Sequence, residues 1–167
     1  GEVAVSNLST STITGASKII DVAIGPEGTW SIIDSKRSKI FTYDEYGDLL
    51  FIFGDKGTQL GNIRSLAAIT YQEEKILLLD MSSGSFTVFD RTEYGDILLN
   101  AIQNQNDRKY DKAKEDWETI LQRNNNFDAA YIGIGKALYR TGRWTEAMEY
   151  FEAAYETDSW SDAYKMY

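Results

Sequence analysis

The chain has 167 residues, enough for one ordinary domain or two small ones, and its 43% hydrophobic and 26% charged residues are those of a globular protein. A net charge of −9 works against nucleic acid and anionic membrane surfaces, which are bound through Lys and Arg, so no nucleic-acid partner is expected. With neither Cys nor His, the chain has no disulfide, zinc–thiolate site, Cys nucleophile or Ser–His catalysis.

The sequence opens GEVAVS, without a starting Met, which reads as a processed or engineered end. Residues 2–14, EVAVSNLSTSTIT, are Ser/Thr-rich with some alternation. They read either as a strand, supplying the outer strand that the second set lacks or finishing a blade whose start is missing, or as a disordered leader. Four short strands rich in β-branched and aromatic residues follow: Ile19–Ile24, Trp30–Asp34, Lys39–Asp44 and Leu49–Gly54. GPEG, SKRS and EYGD separate them, so they are expected to pair in sequence as an antiparallel meander. The charges of SKRSK, Ser35–Lys39, then belong to a hairpin tip. GDKGTQLGN, Gly54–Asn62, is a glycine-rich linker rather than a nucleotide loop, because it precedes a strand. Three more strands are expected at Ser65–Thr70, Lys75–Asp80 and Ser85–Asp90.

The two sets of strands echo one another. Asp34 matches Asp80 and Asp44 matches Asp90, each 46 residues on. EYGDLL at Glu45–Leu50 returns as EYGDIL at Glu93–Leu98, after Arg91 and Thr92 have added two residues. A period of roughly 40–50 residues built from short strands is the mark of propeller blades. Both EYGD copies are expected to form the same turn, with a strand after the first and a helix after the second. The matched Asp residues could in principle do acid–base work or hold calcium, but their equal placement in both sets favours a turn role.

From about Asp96 the period becomes helical. YDKAKEDWETIL (Tyr110–Leu121) aligns with WTEAMEYFEAAY (Trp144–Tyr155) at an offset of 34, the tetratricopeptide period. In the repeat Asp128–Ser161, Tyr131, Ile134, Gly135 and Leu138 share a face of the first helix, and Ala147, Phe151 and Ala154 share a face of the second. Gly135 should admit the second helix closely, and Gly142 should end the first in a left-handed conformation. The earlier repeat, about Tyr94–Phe127, has Asn100 and Asn104 where apolar residues are expected, and Arg108 where Gly142 stands. Its polar character suits a terminal cap. Trp160–Tyr167 reads as the start of another helix. GIGK, Gly133–Lys136, lacks the spacing of a phosphate loop and is read as helix packing.

The strings DSKRSKIFTYDEYGDLLFIFG, TEYGDILLNAI and AYIGIGKALYRTGRWTEAMEYFEAA carry a further likeness. The chain resembles the extracytoplasmic region of bacterial NHL–tetratricopeptide proteins that continue into a Yip-type membrane domain. The fold expected is α+β with segregated parts: a partial antiparallel β-propeller of about two NHL-like blades over residues 1–95, then α-helical tetratricopeptide hairpins over residues 96–167. The resemblance implies an extracytoplasmic location, with attachment to the cell membrane through a domain beyond residue 167. No apolar run reaches the roughly 20 residues a bilayer span requires, so no direct membrane insertion is expected.

The function expected is a non-enzymatic protein-interaction or scaffolding module of a larger exported or membrane-anchored bacterial protein. The alternative is a ligand-sensing propeller binding a glycan or peptide at the mouth of a ring completed by further blades. An enzyme ranks third. A protein or peptide partner is expected, with no cofactor and no metal. Ile132, Lys136 and Tyr139 lie on the first-helix face that lines the groove in stacked tetratricopeptide hairpins, and form the candidate partner groove. Open strand edges also raise the prospect of self-association.

Overall fold

The computed structural model describes residues 15–54 and 64–167. The strand or leader read at residues 2–14, and all of the linker Gly54–Asn62 but Gly54, lie outside the described residues. The chain divides into two compact units, the first ending at Asp90 and the second spanning Arg91–Tyr167. Among the described residues, two antiparallel sheets are followed by five helices, the segregated α+β layout expected.

Sheet A takes β1 (Ile19–Ile24), β2 (Trp30–Asp34), β3 (Lys39–Tyr43) and β4 (Leu49–Phe53), paired in chain order. Sheet B takes β5 (Leu66–Gln72), β6 (Lys75–Asp80) and β7 (Ser85–Phe89), again in chain order. Among the described residues, β1 and β4 are the edges of the first sheet and β5 and β7 those of the second. The two sheets pack β1 against β5. Ile33, Ile40, Leu66, Ile69, Ile76 and Leu78 form the buried core between them, with Phe51, Phe53 and Phe89 packed around it. The rings of Phe53 and Phe89 lie 5.2 Å apart. A buried polar row crosses the same space: the Ser31 hydroxyl bonds those of Thr42 at 2.6 Å and Tyr71 at 2.7 Å, and the Ile69 amide donates to the Asp21 carboxylate at 2.8 Å.

Asp34 and Asp80 are turn builders. Asp34 Oδ1 accepts from the amides of Lys18, Lys36 and Arg37 at 3.0–3.3 Å, and Oδ2 accepts from the Arg37 guanidinium at 2.6 Å. Asp80 accepts from the amides of Arg64 and Ser82 and from the Ser82 hydroxyl, at 2.7–2.9 Å. Each carboxylate ties the turn after its strand to the chain entering its sheet. Burial pushes the Asp34 carboxyl up, but the Arg37 and Lys18 hydrogen bonds outweigh it and leave it below the usual carboxylate range. The Ser82 hydroxyl and the surrounding amides hold Asp80 at about 2.

The EYGD copies part company, correcting the expectation of a shared turn. In the first, Asp44 Oδ1 accepts from the amides of Tyr46 and Asp48 at 2.9 and 2.8 Å, and Gly47 sits at φ +91, a conformation that favours glycine. That turn joins β3 to β4. In the second, Glu93–Asp96 is the first turn of a helix. Asp90 pairs with Lys75 instead of closing a turn.

The helices are α1 (Glu93–Asn106), α2 (Tyr110–Arg123), α3 (Asp128–Arg140), α4 (Trp144–Ala153) and α5 (Thr157–Met166). Each packs on the next in the chain. The last begins three residues before the Trp160 read from sequence, because α4 stops before Ala154. None of the helices among the described residues is long and apolar enough to cross a membrane.

Candidate functional site

The helical unit positions its surfaces through three helix ends built alike. After α3, the Arg143 amide donates to Leu138 O at 2.9 Å and the Gly142 amide to Tyr139 O at 3.2 Å. With Gly142 at φ +79, this is a Schellman end, which satisfies the last carbonyls of the helix. The Thr141 hydroxyl adds bonds to Ala137 O and Leu138 O at 3.1 and 3.0 Å. The end of α1 repeats the pattern with Arg108 in the left-handed position, at φ +61, and Lys109 donating to Asn104 O at 2.7 Å. The end of α4 repeats it with Tyr155, at φ +56, and Glu156 donating to Phe151 O at 2.8 Å. This early end sends the chain into α5 sooner than a strict 34-residue repeat would.

Helix α3 lies between α2 and α4 and is buried on more than one face. Ala130, Ile134, Gly135, Ala137 and Leu138 are almost fully covered. The two glycines of GIGK serve different neighbours. A Cβ on Gly135 would meet the Phe151 ring of α4 at 2.5–3.0 Å. A Cβ on Gly133 would run into the Trp117 indole of α2. Tyr131, half-buried, donates its hydroxyl to Asn125 O at 3.0 Å and sets its ring 6.2 Å from that of Tyr150.

The predicted groove residues take two roles. Ile132 is 7% exposed and belongs to the packed layer. Lys136 and Tyr139 are half-buried, one and two turns further along the same side of α3. Lys165 of α5 lies within electrostatic range of Tyr139, and its ammonium is raised chiefly by a hydrogen bond to Asp162. Sequence reasoning did not bring Lys165 to this neighbourhood, because only the early end of α4 sets the register of α5.

The first hairpin carries its polar residues in pairs. The Asn104 side chain donates to the Asp116 carboxylate at 2.8 Å, and the Trp117 indole N–H donates to the Gln105 amide oxygen at 3.1 Å. Asn104 therefore occupies an expected apolar position without being left unsatisfied. Between α4 and α5 a cavity of about 310 Å³ opens, walled by Phe151, Tyr155 and Trp160 with Glu152 and Glu156 at its side. Sequence reading placed Phe151 in the core and gave no sign of this opening, which follows from the left-handed turn at Tyr155.

Against known proteins, the family model for the tetratricopeptide repeat matches residues 128–159. That stretch holds α3, α4 and the first residues of α5. No curated protein matches the chain. Tetratricopeptide repeats are typically non-catalytic interaction motifs, and the helical part of this chain carries one such repeat at residues 128–159.

Proposed function

We propose that the helical unit holds a peptide segment of a partner protein, and that the chain is a non-enzymatic scaffolding module of a larger exported or membrane-anchored bacterial protein. The observation that carries this reading is the tetratricopeptide match over residues 128–159, on whose first helix Lys136 and Tyr139 are only half-buried beside the covered Ile132. A partly exposed aromatic ring next to a long cationic side chain offers a peptide both apolar contact and a charge partner. In this reading the two sheets are successive NHL-type blades. The 46-residue echo and the chain-order pairing of the strands support that part. The extracytoplasmic location rests on the family resemblance.

The test is binding of the chain to an array of peptides from proteins exported by the same cell, followed by fluorescence anisotropy on the peptides retained. Tyr139→Ala and Lys136→Glu should each weaken binding about tenfold, while Glu149→Ala, on the exposed side of α4, should leave it unchanged. An array that retains no peptide, or peptides held equally well by all three variants, would overturn the reading.

A further inference from the structure

The turn from α4 to α5 is built on a residue that its backbone conformation does not favour. Tyr155 sits at φ +56, in the left-handed region that Gly142 occupies after α3, where a bulky side chain is strained. Its ring gains little from packing in return, since Tyr155 is 91% exposed. Strained residues of this kind gather at binding sites. Tyr155 is one wall of the cavity of about 310 Å³ between α4 and α5.

The rest of the lining shows what the cavity can hold. Phe151, almost fully buried, and Trp160 supply two further rings. Tyr164 stacks on Trp160 with centroids 5.4 Å apart and planes 6° from parallel, which fixes the indole. Glu152 and Glu156 stand beside the rings. Glu156 Oε1 accepts from the Ser159 hydroxyl at 3.3 Å, which holds that carboxylate at the turn. Among the described residues, none that lines the cavity is Lys or Arg. From Glu149 to Tyr164 the chain has five carboxylates and no cationic side chain, so the local sequence supplies no counter-charge.

Aromatic faces attract cations, and the two carboxylates add to that attraction. We propose that the α4–α5 cavity takes up an arginine side chain of a partner protein. The guanidinium stacks on the Tyr155 and Trp160 rings and donates to Glu152 and Glu156, while the apolar stem lies on Phe151. Arginine suits the cavity better than lysine, because its planar head stacks and hydrogen-bonds at once. A small free cation suits it less well. Small-molecule sites cover most of their ligand, and a wall as exposed as Tyr155 leaves one in water. A side chain borne by a partner brings the surface that closes the opening. Ile132, Lys136 and Tyr139 do not line this cavity, so the proposal goes beyond the α3 surface and does not depend on it.

The test is an NMR titration of the full chain with a blocked alanine pentapeptide carrying a central arginine. It is read at the Trp160 indole N–H, assigned by its loss in Trp160→Phe. The same peptide with citrulline, which keeps the shape and loses the charge, is the control. The arginine peptide should shift the Trp160 signal saturably, and the citrulline peptide should bind about tenfold more weakly. Glu152→Gln combined with Glu156→Gln should weaken the arginine peptide by a similar factor. Tyr155→Gly separates the site from the fold. It relieves the left-handed position, so the fold should be at least as stable, while binding should fall about tenfold. An unmoved Trp160 signal, equal binding of the two peptides, or a Tyr155→Gly chain that binds as before would each overturn the inference.

Discussion

Replacing Gly135 by Ala adds one methyl group at the tightest point of the second helical hairpin. The new Cβ would lie 2.5, 2.7 and 3.0 Å from three carbons of the Phe151 ring. Comfortable carbon contacts begin near 3.5 Å, so the ring must retreat by about 1 Å. Phe151 is 1% exposed, so its retreat disturbs the side chains packed on it. Overpacking of this kind costs roughly 1–3 kcal/mol, and the better helix propensity of Ala offsets about 1 kcal/mol of that. A net loss of about 1 kcal/mol is expected, read from urea denaturation followed on the helical circular-dichroism band. The cause is isolated by a second substitution. Phe151→Leu alone should cost roughly 1–2 kcal/mol through the ring atoms it removes. Combined with Gly135→Ala it makes room for the methyl group, so the double variant should be more stable than the sum of the single losses by at least about 1 kcal/mol. Independent sites add to within about 0.5 kcal/mol. Additivity at that level would refute the contact as the reason for glycine here.

Arg108→Gly should stabilise the helical unit by about 1 kcal/mol, because Arg108 holds the φ +61 position that glycine adopts without strain; an unchanged denaturation midpoint would count against strain at this helix end. Thr92→Ala should cost the same unit about 1 kcal/mol by removing the hydroxyl that accepts from the Gly95 amide at 3.2 Å, and a loss confined to the sheets would show that the cap has been misplaced. Asp80 sits at about 2 when folded against an ordinary 3.8, so its contribution is complete above pH ~4 and is lost as pH falls from about 4 to about 2. Asp80→Asn should therefore be less stable near neutral pH and converge with the unaltered chain at the acid end, and a gap that stays constant over that range would refute the carboxylate's role.

The local signals for the sheets were strong, and their boundaries differ little from those read off the residues. Alternating apolar residues and turn formers mark β1 to β7 to within about two residues, because turns such as SKRS and GPEG are specified by the residues inside them. The faces were less legible. Phe86 and Val88 look as much like core residues in the sequence as Ile40 and Thr42 do, and only the packing of one sheet on the other shows which pair is covered. In α3 the sequence marked one packed face through Ile134, Gly135 and Leu138. It did not separate Gly133 from Gly135, since a helix held between two neighbours has two packed faces and the periodicity of one conceals the other. Ile132 falls on the groove face by its spacing from Lys136, while its burial is set by tertiary contacts that the spacing does not encode.

The divergence of the two EYGD copies shows how small a sequence change can redirect the chain. Four identical residues form a turn in one place and a helix start in the other, so neither outcome is intrinsic to EYGD. What differs is the residue that reaches the first free amides. Before the first copy stands Asp44, directly adjacent, whose carboxylate takes the amides of Tyr46 and Asp48 and closes the chain back toward β4. Before the second, Arg91 and Thr92 intervene after Asp90. The insertion removes the carboxylate from reach and leaves it to Lys75. It also brings Thr92 to the position from which a hydroxyl caps a helix. Glu93 and Asp96 then fall in the first turn, where negative charge is favourable, and Arg91 bridges back to Asp96 at 3.1 Å. Downstream, Leu98, Ala101 and Ile102 supply the buried face that gives the helix its tertiary support, where LLFIF after the first copy supplies a strand. The capping residue selects the direction of the chain, and the apolar period beyond it stabilises the choice.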